Sequence, residues 1–210
     1  MTALDLADPE SLADLQRYLT LARRLDDDAA VRLLAVGEVL AAYVCVLPGR
    51  GLSGTGTVLG LRTVALARPA SLDATVPVAA VLDRLARGGG APPGTPALQV
   101  PPMASFVAWS AISPPRAGWQ SAGELTSEAV TDAAREGIHA LGQAGTAMAA
   151  TLDAARSRVW TAPIPGHEVP AGLAFGAYAL RFLTPRRPAT LWRAGSWTRL
   201  STPAGHVLAR

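Results

Sequence analysis

The stretch that decides the fold is residues 31–67, VRLLAVGEVLAAYVCVLPGRGLSGTGTVLGLRTVALA. It holds three apolar, valine-rich runs, at 31–36, 39–47 and 57–67, separated by Gly37-Glu38 and by a spacer rich in glycine. Short runs of this kind, bounded by turn residues and rich in β-branched side chains, are typical of buried strands. We therefore predict a three-stranded antiparallel meander, in which the run at 39–47 is buried on both faces.

Helices are predicted on both sides of this meander. Asp8-Pro9 is a favourable helix start, because aspartate caps the first turn and proline fits its first position, and a leucine stripe follows as far as Leu25. A second helix is predicted from Pro77 to the glycines at 88–90, and the same periodicity predicts helices at about 103–112, 126–141, 146–160 and 171–183. The fold class is therefore α+β: an antiparallel β meander near the N-terminus, central helices and a C-terminal β-hairpin.

The domain organisation leaves two alternatives open. Residues 88–102, GGGAPPGTPALQVPP, form the clearest linker in the chain because glycine and proline punctuate regular structure. If this linker separates two domains, the chain consists of a β-rich half with an N-terminal helix at 1–90 and a helix-rich half ending in the hairpin at 91–210. The alternative is one compact domain over 1–210.

The hairpin at residues 190–200, TLWRAGSWTRL, carries the most informative polar cluster. A two-residue turn at Ala194-Gly195 would place Trp192 directly opposite Trp197. Arginines beside exposed aromatic rings are typical of nucleic-acid surfaces, whereas tryptophans that cover a core beside solubilising arginines are typical of an ordinary sheet edge. The candidates for binding nucleic acid or a partner are Arg186, Arg187, Trp192, Arg193, Trp197 and Arg199.

The charge is uneven along the chain. Residues 1–28 hold seven acidic side chains against three arginines, whereas the chain after Glu168 has six arginines and no acidic residue. This asymmetry indicates an acidic protein partner, nucleic acid, or association between the two ends, within one chain or between two chains. All 19 basic residues are arginine and the chain has no lysine or asparagine, which is typical of a GC-rich bacterial genome.

Catalytic chemistry has little support in the sequence. The three histidines are far apart, no metal-ligand spacing occurs, and we expect no metal and no cofactor. His167 and Glu168 are the weak candidates for acid–base work. Cys45 lies within an apolar run, where a cysteine behaves as a small hydrophobic residue. The acidic N-terminus is unlike a signal peptide and no apolar run is long enough to span a bilayer, so we expect a cytoplasmic protein with no membrane contact.

Four segments resemble a family of uncharacterised actinobacterial proteins of unknown function. They are LPGRGL, VLGLRTVALA, PPRAGW and WTRLSTPAGHVLAR, and the resemblance extends over most of the chain. It implies no activity, cofactor or catalytic residue. The function that we predict is a non-catalytic interaction or regulatory module that self-associates. The alternatives are a nucleic-acid-binding protein that uses the arginine/tryptophan hairpin, and a small-molecule-binding protein or enzyme with a cleft between the two halves.

Overall fold

The computed structural model describes residues 2–51, 53–87, 96–143 and 149–210. The fold is α+β, which confirms the predicted class. The chain divides into two compact units: residues 1–45 and 61–112 form unit 1, and residues 46–60 and 113–210 form unit 2. The predicted division at residue 90 falls within 88–95, which lie outside the described residues, and it stays a prediction.

Unit 1 is built on a helix and two long strands. Its elements in chain order are β1 (Ala3–Asp5), α1 (Pro9–Leu25), β2 (Ala30–Leu47), β3 (Val58–Pro77), α2 (Val78–Ala86), β4 (Ala97–Gln99) and a 3₁₀ turn at Ala108–Ala111. Helix α1 is confirmed at the predicted residues, and the Ser11 N–H donates to the Asp8 carboxylate at 2.6 Å. Leu15 and Leu19 on its stripe are fully buried. Strands β1 and β4 pair antiparallel in a small separate sheet.

The N-terminal meander has two strands, whereas three were predicted. The runs at 31–36 and 39–47 are one strand, β2, and Gly37 lies inside it with φ of 60°. One left-handed residue kinks a strand, whereas reversing the chain takes a complete two-residue turn. Burial on both faces is also wrong: Leu40, Ala42 and Val44 are buried, whereas Val39 is 50% exposed. Strand β3 continues ten residues beyond the predicted end, to Pro77.

Unit 2 contains a sheet and three helices among its described residues. Its elements are β5 (Gln120–Leu125), α3 (Ser127–Gln143), α4 (Ala149–Thr161), α5 (Ala171–Ala179), β6 (Ala189–Ala194), β7 (Trp197–Thr202) and β8 (Gly205–Ala209). The strands of its sheet lie in the order β8-β7-β6-β5. Leu191, Leu200 and Val207 from β6, β7 and β8 are buried, and Val207 contacts α5 at Gly176. The predicted helix start at Thr146 lies outside the described residues.

The C-terminal hairpin is confirmed, but its register differs from the predicted one. Ala194 pairs with Trp197, so the turn is Gly195-Ser196, and Trp192 lies opposite Arg199. Gly195 has φ of 57°, and hairpin turns of type II′ place such a glycine at the first central position. Moving the turn by one residue changes the partner of Trp192 and keeps both tryptophans on the same face of the hairpin.

Two helices end or start differently from prediction. The helix predicted at 103–112 is only the short 3₁₀ turn, and the helix predicted at 171–183 ends at Ala179. Arg181 has φ of 54°, and the Phe182 N–H donates to the Ala177 carbonyl at 2.9 Å, which is a Schellman ending. Glycine is the usual residue at this position, because a left-handed conformation costs other residues roughly 1–2 kcal/mol.

Candidate functional site

One face of the C-terminal hairpin holds an arginine between two indole rings. The Arg199 guanidinium lies 4.5 Å from the ring centroid of Trp119 and 5.4 Å from that of Trp192. The Trp119 indole N–H donates to the Pro115 carbonyl, and that of Trp192 donates to the Thr190 hydroxyl, each at 3.0 Å. Cation–π contacts with both rings hold the guanidinium in place. A base that stacked on Trp192 would therefore compete with the chain's own arginine.

Trp197 has little ring surface for a partner. Its side chain is 4% exposed, and the Arg210 guanidinium lies 6.0 Å from its ring centroid. Trp192, on the same face, is half-buried. The geometry therefore suits tryptophans that complete the core of unit 2, and a binding role for this set of residues stays a prediction.

The other predicted arginines are exposed. Arg193 donates to the Glu168 backbone carbonyl at 2.7 Å. Arg186 has φ of 62°, and its backbone N–H donates to the Ser127 hydroxyl at 3.1 Å, where α3 begins. The Arg187 N–H donates to the Thr184 carbonyl at 3.1 Å and closes a tight turn. These contacts use backbone groups of Arg186 and Arg187, so their guanidinium groups project from a loop whose backbone is fixed.

The weak acid–base candidates lie in an exposed loop. His167 and Glu168 are both exposed, and the His167 N–H donates to the Ile164 carbonyl at 2.9 Å. His206 contacts the Ser201 hydroxyl at 2.9 Å, and the exposed His139 lies 3.5 Å from the Gln143 side chain. In the part of the chain that the structure describes, no three His, Cys, Asp or Glu side chains converge as metal ligands.

Cys45 has the environment of a protonated thiol. Burial, with a smaller contribution from the Asp26 carboxylate, raises the pKa of the Cys45 thiol to about 12. Only the thiolate is a strong nucleophile, so a raised pKa suppresses reactivity.

We expect alkylation of Cys45 by iodoacetamide at mildly alkaline pH to be slow in the folded protein. A pKa three units above its ordinary value lowers the thiolate fraction roughly a thousandfold. The measurement is the rate of mass gain in the native protein, with the denatured chain as the control. Equal rates in the two samples would contradict the protonated state of Cys45.

A second surface, in unit 1, was not singled out from the sequence. Phe106 is 98% exposed and Met103 is 60% exposed, although both lie in a segment fixed by hydrogen bonds. The Ser105 N–H donates to the Thr75 carbonyl at 2.8 Å, and Arg32 donates to the Ser110 carbonyl at 2.9 Å. The sequence feature that could have indicated this surface is an absence of charge, because residues 88–115 contain no charged side chain and no histidine. We call residues 103–106 the Phe106 surface.

The comparisons with known proteins give families without an assigned activity. A family model described as Domain of unknown function (DUF8010) matches residues 1–109, and one described as Domain of unknown function (DUF8185) matches residues 114–210. A search of curated proteins finds no match. Across the described residues, no helix combines the length and apolar character that crossing a membrane requires.

Proposed function

We propose that this chain, which belongs to the family described as Domain of unknown function (DUF8010), is a non-catalytic interaction module that self-associates through the Phe106 surface. The observation that carries the proposal is the 98% exposure of Phe106 on a segment with a fixed backbone. Covering one such ring contributes about 2 kcal/mol.

A second copy of the chain is the partner that suits this surface. A two-fold contact brings the same patch of both copies together, so a charged patch would face a patch of the same charge and be repelled. The stretch 88–115 is uncharged, whereas the acidic N-terminal segment and the arginine-rich C-terminal segment would each meet a like charge across such an axis. Two phenyl rings also form a favourable pair when they stack or meet edge to face.

Replacing Phe106 with serine is expected to weaken self-association at least about tenfold, because each copy loses the apolar ring that the contact covers. The measurement is sedimentation velocity of the full chain over a wide range of concentrations. Ile138→Ser in unit 2 is the matched control, because Ile138 is also an exposed large apolar residue, at 42%. It should leave the dissociation constant unchanged.

Two results would overturn the proposal. A native chain that sediments as a monomer at every concentration has no self-association to explain. A Phe106→Ser variant that associates as tightly as the native chain would place the contact elsewhere. Because Phe106 is almost fully exposed, its replacement should leave the melting temperature of the monomer unchanged, which separates lost association from lost folding.

A further inference from the structure

The loop that follows α5 displays three arginines. Arg181, Arg186 and Arg187 are exposed, and within the described residues none of them lies within ion-pair distance of a carboxylate. The two residues other than glycine that have positive φ among the described residues are Arg181 and Arg186. Arg181 occupies the position after a helix where glycine is usual, and Arg186 follows Pro185 in the turn closed by Thr184 and Arg187. A long charged side chain therefore stands at two positions where the backbone favours glycine.

An exposed aromatic ring accompanies these arginines. Tyr178 lies in the last turn of α5 and is 38% exposed, and its carbonyl accepts the Arg181 N–H at 3.1 Å. Neither Trp192 nor Trp197 offers a comparable ring, because the first contacts Arg199 and the second is buried. The combination of guanidinium groups and an open ring thus occurs at residues 178–187 and not on the hairpin.

We propose that residues 178–187 form a contact surface for single-stranded nucleic acid. Arg181, Arg186 and Arg187 bind backbone phosphates, and Tyr178 stacks on a base. Guanidinium groups bind phosphate oxygens in a bidentate manner, and the face of an aromatic ring accepts any base, so binding depends strongly on salt and weakly on sequence.

Charge and burial favour nucleic acid over a lipid surface. Unit 2 holds eleven arginines against six acidic residues. A membrane-binding loop needs apolar side chains that can enter the bilayer beside its basic residues. In this loop Leu180 and Phe182 point inward, at 2% and 3% exposure, so the loop offers charge without an apolar anchor.

The test measures fluorescence anisotropy of labelled oligothymidylate and oligouridylate with the full chain, at low salt and over a salt series. The variants are Arg181→Gly/Arg186→Gly and Tyr178→Ala. Glycine removes the two guanidinium groups and also relieves the left-handed backbone, so the melting temperature should be unchanged or higher. We expect the glycine variant to bind at least tenfold more weakly at low salt, with the slope of log K against log salt reduced by about 1.4 for two phosphate contacts. Tyr178→Ala should weaken binding several-fold with the slope unchanged.

The matched control is Arg156→Ala/Arg158→Ala, which removes the same charge from exposed positions on α4. It should bind nearly as well as the native chain. The proposal is overturned if neither oligonucleotide binds at low salt, or if the control loses as much affinity as the glycine variant. It is also overturned if the chain binds phosphatidylserine vesicles and neither oligonucleotide, because the loop then recognises a lipid surface.

Discussion

Replacing Gly205 with alanine is expected to lower the free energy of unfolding by about 3–5 kcal/mol, because two penalties add. Gly205 has φ of 153°, a conformation that residues with a side chain rarely adopt. A Cβ at this position would also lie 2.6 Å from Cζ and 2.7 Å from Cε1 of the Phe182 ring. Phe182 is buried, so its ring has no open space into which it can move.

Chemical denaturation of the full chain measures this loss, and two companion variants separate its causes. Gly195→Ala also places a side chain at positive φ, but nothing lies within 4 Å of its Cβ, so we expect a loss of only about 1–2 kcal/mol. Gly205→Ala should cost less unfolding free energy when it is made in a Phe182→Leu chain than in the native chain, because the shorter side chain relieves the clash. A Gly205→Ala variant as stable as Gly195→Ala would show that the ring imposes no constraint on Gly205.

Replacing Gly137 with alanine is expected to cost about 3 kcal/mol through overpacking. Gly137 lies in α3, and a Cβ there would overlap Cζ3 of Trp160 on α4 and lie 2.6 Å from Cη2. Trp160 is buried, and its ring stacks on Phe175 of α5 with 4.5 Å between the centroids. The indole therefore contacts both Phe175 and the backbone of α3, and we expect an added methyl group to force the two apart.

Gly142→Ala is the matched control on the same helix. Nothing lies within 4 Å of a Cβ at Gly142, so this variant should gain up to about 1 kcal/mol from the better helix propensity of alanine. The two substitutions are chemically identical and are expected to change the unfolding free energy in opposite directions, as measured by denaturant titration. A stabilised Gly137→Ala variant would contradict the close approach of α3 to Trp160.

The parts of the fold that depend on local chemistry were predictable. Asp8-Pro9 fixes the start of α1 because both the cap and the proline act within one turn, and the hairpin at 189–202 follows from its apolar runs and Gly195. Where local signals are ambiguous, prediction failed. A glycine such as Gly37 is equally compatible with a reversal of the chain and with a kink in a strand. Which of the two forms depends on the partner strand. The extra length of β3 has the same origin, since Arg32 on β2 pairs with Asp73, which lies beyond the predicted end of the strand.

The candidate site was predictable in composition and less so in arrangement. The arginines and tryptophans were identified, but the contact of Trp119 with Arg199 joins residues 80 positions apart, and no local pattern indicates it. The exposure of Phe106 is likewise a property of the folded chain, because its segment has the composition of a short helix. The turn that holds Arg186 depends on a backbone angle that its sequence does not favour.

Gly37 has a consequence for how the protein avoids aggregation. Among the described strands, β2 pairs with β3 alone, so its other edge is unpaired, and the strand is 18 residues long. A flat border of that length would offer its backbone groups to any unfolded chain and could template fibril growth. The left-handed glycine bends this border midway, and the exposed carboxylate of Glu38 adds a charge beside the bend. The sheet thereby resists extension by a foreign strand.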